Sequence, residues 1–301
     1  MTARAESVAG VEDVDLAGET VLVTGSSDGI GREMALALGR LGATVLVHGR
    51  DREKGRDVAD LIYAAGGEAL LFVADFASQD EVRDLAAEVA EHAPLDALVN
   101  NAGGFFTRPR LTPEGFEYTF GVNHLAPFLL TNLLRPELPA GARVVTTASG
   151  AHHNASGIDL DAVQTAEGYS AMGAYSRSKL ANVLFAAELA RRLDGATSYS
   201  FHPGFVPGSE FPRELPAPVR WGMRAIDNLP DALSGLFANT VVEGAATGVY
   251  LVAAPAVGGD SGGYFEDCAP ATPSHVARDR DLQAQLWERS LEWTGLAEDG
   301  G

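Results

Sequence analysis

An α/β fold with a doubly wound parallel sheet, helices on both faces and a single domain is predicted by three observations. Short apolar runs alternate with helical patterns, the first run breaks into a glycine-rich turn that opens a helix, and later runs end in polar or glycine-containing turns. The first unit is Val21-Leu22-Val23-Thr24-Gly25-Ser26-Ser27-Asp28-Gly29-Ile30-Gly31. An all-apolar run suits a parallel strand buried on both faces, and Met34, Leu36, Ala37, Leu38 and Leu41 continue as the packed side of a helix. The turn between them suits a dinucleotide's pyrophosphate. Gly25 takes the tight turn, Gly29 admits the phosphates to the backbone, Gly31 lets helix and strand approach, and the helix N-terminus turns its N–H groups toward the anion.

The second unit runs Ala43 to Val47 and exits through His48-Gly49-Arg50-Asp51. An acidic group at this strand end would hold a ribose 2′-hydroxyl, whereas a guanidinium meets a 2′-phosphate, so Arg50 favours NADP(H), with NAD(H) the alternative. Asp28 in the phosphate turn is an opposing negative charge. A helix from Arg52 to about Ala65 stops at Gly66-Gly67, and the strand Ala69 to Val73 delivers Asp75, which suits either an adenine amine or a helix N-cap. The next helix runs from near Gln79 to Glu91, and the strand Leu95 to Val99 ends at Asn100-Asn101-Ala102-Gly103-Gly104. Two such turns at strand carboxyl ends converge on one crevice in an open parallel sheet.

Phe116 to Leu134 reads as helix and carries the polar pair Asn123 and His124 among apolar neighbours. The fifth strand, from Arg143, brings Ser149 to the same edge, and a polar loop over His152 to Met172 precedes a long helix opened by Tyr175-Ser176-Arg177-Ser178-Lys179. The sixth strand, from Tyr199, exits at Pro203-Gly204 near Val206. A proline-rich stretch over 205–239 breaks the βα rhythm and reads as a substrate lid with apolar lining.

Composition bounds the function. The chain has 301 residues, 46% hydrophobic, with 34 glycines and 15 prolines, enough for a substantial core. A net charge of −19, with Lys54 and Lys179 as the only lysines, argues against nucleic-acid or anionic-membrane partners. Cys268 is alone, which excludes an internal disulfide and fits a cytoplasmic setting; no paired ligand spacing marks a metal site. The acidic N-terminal segment reads as a mobile arm over residues 1–15, without the apolar core of a signal peptide. The domain then spans 16–297, with 298–301 as a tail.

Tyr175 and Lys179 lie four apart, on one helix face, where an ammonium could stabilise a phenolate. Together with the glycine turn, Asn100 to Gly103, Asn123, Ser149 and Pro203-Gly204 in this order, they resemble the short-chain dehydrogenase/reductase family over about Leu16 to Leu296. Asn123 to Thr131, Ser178 to Asn182 and the tail from Gly263 to Trp287 resemble its retinol-dehydrogenase-like branch, and the lack of an anchor pattern makes a soluble bacterial-type relative the better fit. The resemblance implies a Rossmann-type domain and hydride transfer between nicotinamide and a carbonyl or alcohol. Tyr175 is then the acid or base, Ser149 holds the reacting oxygen, Lys179 holds the ribose and lowers the phenol's pKa, and Asn123 supports a proton relay. Gly25, Ser27, Asp28, Gly29, Ile30, Gly31, Arg50, Asp75, Asn101, Ala102, Gly103, Pro203, Gly204 and Val206 line the nucleotide, and Ser209 offers a hydroxyl to the carboxamide. His152 and His153 read as loop or substrate-rim residues. An NAD-dependent alcohol dehydrogenase and a non-catalytic dinucleotide sensor are the rival readings, and pairing of chains through the helices of Asn123 and Tyr175 stays open.

Overall fold

The computed structural model describes residues 3–206 and 239–297. In β1 (Thr20–Val23), successive side chains enter opposite cores: Val21 and Val23 one, Leu22 the other. That two-sided burial is why the run is apolar throughout. β2 (Thr44–Gly49) and β4 (Ala97–Asn100) pair parallel on either side of β1, and β3 (Glu68–Val73) lies beyond β2. β5 (Arg143–Thr147), β6 (Thr197–His202) and β7 (Tyr264–Glu266) continue in parallel beyond β4. β8 (Ala269–Ala271) runs antiparallel to β7 and ends the order β3-β2-β1-β4-β5-β6-β7-β8. The order reverses between β1 and β4, and a crevice opens beyond their carboxyl ends.

Helices α1 (Ala5–Val8), α2 (Gly29–Arg40), α3 (Arg52–Ala64), α4 (Gln79–Ala90), α5 (Tyr118–Phe120), α6 (Ala126–Leu134), α7 (Ala171–Arg192), α8 (Val241–Ala253) and α9 (Arg280–Thr294) flank the sheet. Their starts follow local chemistry: side chains of Asp51, Ser78, Ser170, Thr240 and Asp279 accept backbone N–H groups at the openings of α3, α4, α7, α8 and α9. Met34 and Leu38 of α2, Ile62 of α3 and Val249 of α8 fill one core. Leu85 of α4, Phe128 of α6 and Phe185 of α7 fill the other, joined by Trp287 of α9.

The structure differs from the sequence expectations in five places. Residues expected as a mobile arm over 1–15 instead pack: Ala5, Ala9 and Val11 are buried, and Glu6 meets the Arg40 guanidinium at 2.6 Å. The stretch expected as one helix over Phe116 to Leu134 contains a π turn, Gly121–Leu125, between α5 and α6. Helix α7 opens at Ala171, one turn before Tyr175, because Ser170 caps it. The hairpin of β7 and β8 was not foreseen; Asp267 and Cys268 turn it with positive φ, 47° and 59°, unusual for non-glycine residues. Ser78, not Asp75, caps α4. Most of the expected lid, and Ser209 within it, lies outside the described residues.

Candidate active site

The crevice is a cavity of about 490 Å³. Its floor is the turn after β1. Gly25 and Gly29 adopt φ of +65° and +56°, and a Cβ on Gly31 would stand 2.4 Å from the Gly25 carbonyl oxygen, so no larger residue fits there. This sharpens the expectation for Gly31, whose closest neighbours are the turn itself and the Asn101 side chain. Thr24 ties this turn to the one after β4: its Oγ1 donates to the Val99 carbonyl at 3.1 Å and accepts from the backbone N–H groups of Asn101 and Ala102 at 2.9 and 3.0 Å. Two loops distant in sequence are thereby held as one surface.

Every predicted nucleotide-binding residue among the described ones lines this cavity: Gly25, Ser27, Asp28, Gly29, Ile30, Gly31, Arg50, Asp75, Asn101, Ala102, Gly103, Pro203, Gly204 and Val206, with Tyr175 and Lys179 at the other end. The glycine floor, the N-terminus of α2 and the mostly apolar wall where Ala74 and Phe76 stand fit a nicotinamide dinucleotide. Arg50 is exposed at the end of β2. The Asp28 carboxylate, an opposing charge in the sequence, is met by Lys54 Nζ at 2.9 Å and also accepts from Gly29 N–H. His48, which the sequence reading passed over, is buried at the same corner. Its Nδ1 accepts from Gly25 N–H at 3.3 Å, its Nε2 donates to the Ala74 carbonyl at 3.2 Å, and its ring stacks on Phe76. Burial pushes its pKa down to about 4, against the pull of the Ala74 bond, so it stays neutral and keeps that tautomer.

Ser149, Tyr175 and Lys179 converge on the opposite wall. Tyr175 lies edge-on to Phe105, with ring centroids 5.5 Å apart, and Lys179 Nζ is 5.7 Å from the phenol ring centre. Lys179 donates to the Thr147 carbonyl at 2.9 Å, a carbonyl that Asn182 also meets. The electrostatics depart from expectation. Burial pushes the Tyr175 phenol up, with the Ser149 hydroxyl bond opposing it, while burial pulls Lys179 down to about 8. Ser149 Oγ accepts from Ala151 N–H at 3.2 Å.

Asn123 stands apart. It is fully buried behind the wall, accepting from Gly104 N–H at 2.8 Å and donating to the Gly104 carbonyl and to Ser178 Oγ, each at 3.0 Å. Ser178 in turn donates to the Tyr175 carbonyl. Asn123 therefore braces the β4 turn against the start of α7. His202, at the end of β6, lines the cavity without having been foreseen. His153 is exposed; His152 lies in the connection after β5 as expected, but it is fully buried and off the cavity, which corrects a place on the substrate rim. Among the described residues no cluster of three or more His, Cys, Asp or Glu side chains could hold a metal.

A glycine-turn crevice faced by serine, tyrosine and lysine defines a nicotinamide-dependent oxidoreductase, and the chain belongs to the short-chain dehydrogenases, whose family model matches residues 19–215. Within that family it falls in the retinol-dehydrogenase-like branch. It is 39% identical to human retinol dehydrogenase 14 over 299 residues, covering 93% of this chain and 87% of that one. A protein of Streptomyces sp. (strain C5), named as a daunorubicin C-13 ketoreductase, is also 39% identical, with 93% and 94% covered. A crystal structure of a short-chain dehydrogenase from Burkholderia cenocepacia J2315 in complex with NADP superposes with a TM-score of 0.63 at 28% identity, covering 79% of this chain and 91% of that one. The chain is thus an oxidoreductase acting on alcohol and carbonyl groups with a nicotinamide cofactor.

Proposed function

We propose that this chain is an NADP(H)-preferring carbonyl reductase for moderately hydrophobic ketones or aldehydes. The observation that carries the reading is the convergence of Ser149, Tyr175 and Lys179 on one wall of the cavity whose far end presents Arg50. When bound, the nicotinamide supplies the hydride. Tyr175 gives its proton to the carbonyl oxygen, and the burial that raises its pKa keeps that proton in place at neutral pH. Ser149 hydrogen-bonds the same oxygen, and Lys179 carries positive charge beside the phenol. Phe105, buried against Tyr175, and the exposed Met172 and Phe205 give the cavity apolar surface on the side of the reacting groups. The NADP preference rests on Arg50, on the neutralised Asp28 and on the NADP complex of the Burkholderia protein. No helix among the described residues is long and apolar enough to cross a membrane. The names of two relatives, a retinol dehydrogenase and a daunorubicin C-13 ketoreductase, support an apolar substrate of this kind.

Titration with NADPH and NADH by nicotinamide fluorescence, followed by a panel of aromatic and aliphatic carbonyl compounds, tests this. The expected result is tighter NADPH binding and NADPH oxidation on adding a substrate. Tyr175→Phe keeps the binding and loses turnover by about 10²-fold or more; retained turnover would remove the proposed acid.

A further inference from the structure

His152 is a buried histidine that the proposed chemistry does not use, and it does not line the cavity. It lies three residues after Ser149, in the 3-10 turn Gly150–Asn154. Both ring nitrogens are engaged. Nε2 lies 3.0 Å from the Ser274 backbone nitrogen, whose N–H can only donate, so Nε2 is the acceptor. Nδ1 then carries the ring proton and donates to the Ser149 carbonyl at 2.7 Å. The His152 backbone N–H donates to that same carbonyl at 3.0 Å. Burial lowers the pKa of His152, with the Ser149 bond opposing it, which keeps the ring in the neutral form that this arrangement needs.

The consequence reaches the reacting atoms through one residue. Ser149 is held by three hydrogen bonds at two atoms: two from His152 to its carbonyl oxygen, and one from Ala151 N–H to its Oγ. Ser274 is in turn fixed by the chain after β8: Ala277 N–H donates to Ser274 Oγ, and Gln283 of α9 donates to the Ala277 carbonyl. The Tyr264 ring of β7 packs edge-on against His152 at 5.0 Å between centroids.

We infer that His152 is a positioning residue: its imidazole transmits the placement of the C-terminal segment around Ser274 to the Ser149 side chain that contacts the reacting oxygen. The inference rests on the role proposed for Ser149, and the two can be separated.

The two ring nitrogens allow a split. An asparagine at this position places its amide near Nδ1 and can still donate to the Ser149 carbonyl, whereas a glutamine reaches the place of Nε2 and serves Ser274 alone. The experiment measures kcat and KM for carbonyl reduction, and NADPH affinity by fluorescence, for His152→Asn, His152→Gln and His152→Ala, alone and combined with Ser149→Ala. If positioning through Ser149 is right, kcat of His152→Gln and His152→Ala falls by about 10-fold or more, as a displaced reacting group costs. His152→Asn recovers most of it, and NADPH affinity is unchanged in all three. In the Ser149→Ala background the same histidine substitutions lower kcat no further.

Equal losses for Asn and Gln, or the full loss repeated on top of Ser149→Ala, would overturn the inference while leaving the proposed reaction standing. Full activity of Ser149→Ala itself would instead remove the role of Ser149. Should the alanine variant fail to fold, the Asn and Gln pair still decides.

Discussion

Asp28 brings a carboxylate to the turn where a pyrophosphate would rest, and Lys54 cancels it from the first turn of α3. The pair is partly exposed, so it adds little to folding, but it decides the local charge that a nucleotide meets. Lys54→Met should therefore weaken NADPH binding by about 3- to 10-fold, and adding Asp28→Asn should restore it, as measured by nicotinamide fluorescence at low salt. Arg50→Ala should weaken NADPH far more than NADH, because a guanidinium at the end of β2 has a partner only in the 2′-phosphate; equal losses on the two nucleotides would contradict the NADP preference. Two pKa shifts set the pH dependence at this scale. Tyr175 is raised by burial, so a phenolate base forms only at high pH, and alcohol oxidation should climb as pH rises. Lys179 is lowered to about 8, so its charge is full below that value and is lost above it. The kcat/KM for carbonyl reduction should accordingly fall as pH rises through about 8, which a pH profile with a single carbonyl substrate would reveal.

Among the elements, α1 shows how a four-residue helix too short to stand alone is held by tertiary contact. Its Ala5 is buried, and the carboxylate of its Glu6 receives both Nε and Nη2 of Arg40, the last residue of α2. Burial works against the Glu6 charge, but the Arg40 bonds outweigh it and leave the pKa below its ordinary value of 4.5. The pair's contribution is then complete above the ordinary carboxylate range and is lost as pH falls through the lowered value. Glu6→Ala should cost about 1–3 kcal/mol at neutral pH, and the difference from the parent should shrink in acid, as measured by urea unfolding at several pH values. The hairpin of β7 and β8 illustrates the reverse case. Asp267 and Cys268 are held at positive φ partly by Thr247 of α8, whose Oγ1 accepts from Cys268 N–H, so a helix distant in sequence stabilises a turn that its own residues disfavour.

At the scale of the whole molecule, α9 closes the face of α6 and α7. Trp287 packs edge-on against Phe128 of α6 at 5.0 Å, stacks with Phe185 of α7 at 6.0 Å, and lies under the Arg192 guanidinium at 4.7 Å. Trp287→Ala should cost about 3–5 kcal/mol by chemical denaturation, the cost of emptying a large aromatic from a packed site. The same helix supplies Gln283 to the bracing of Ser274, so the C-terminal region both covers the core and reaches the active-site wall. The acidic chain has only Lys54 and Lys179 as lysines: Lys179 lines the cavity, and Lys54 meets Asp28, which lines it too.

Local signals carried much of this into the sequence. β1, the glycine turn and α2 were legible because burial on both sides of a strand demands an apolar run and a sharp turn before a helix demands glycine. The four-residue spacing of Tyr175 and Lys179, and Asn101 to Gly103 at a strand end, marked the second half of the cavity for the same reason: helix periodicity and the strand-end rule are properties of adjacent residues. The tertiary structure alone decided where charges and histidines ended up. Lys54 answers Asp28 across 26 positions of sequence, His152 answers Ser274 across 122, and the packing of α1 depends on Arg40. Burial and the choice of a distant hydrogen-bond partner have no period and no fixed spacing. A neutral buried imidazole therefore looks, in sequence, like a loop histidine, and becomes a brace only when the chain has closed around it.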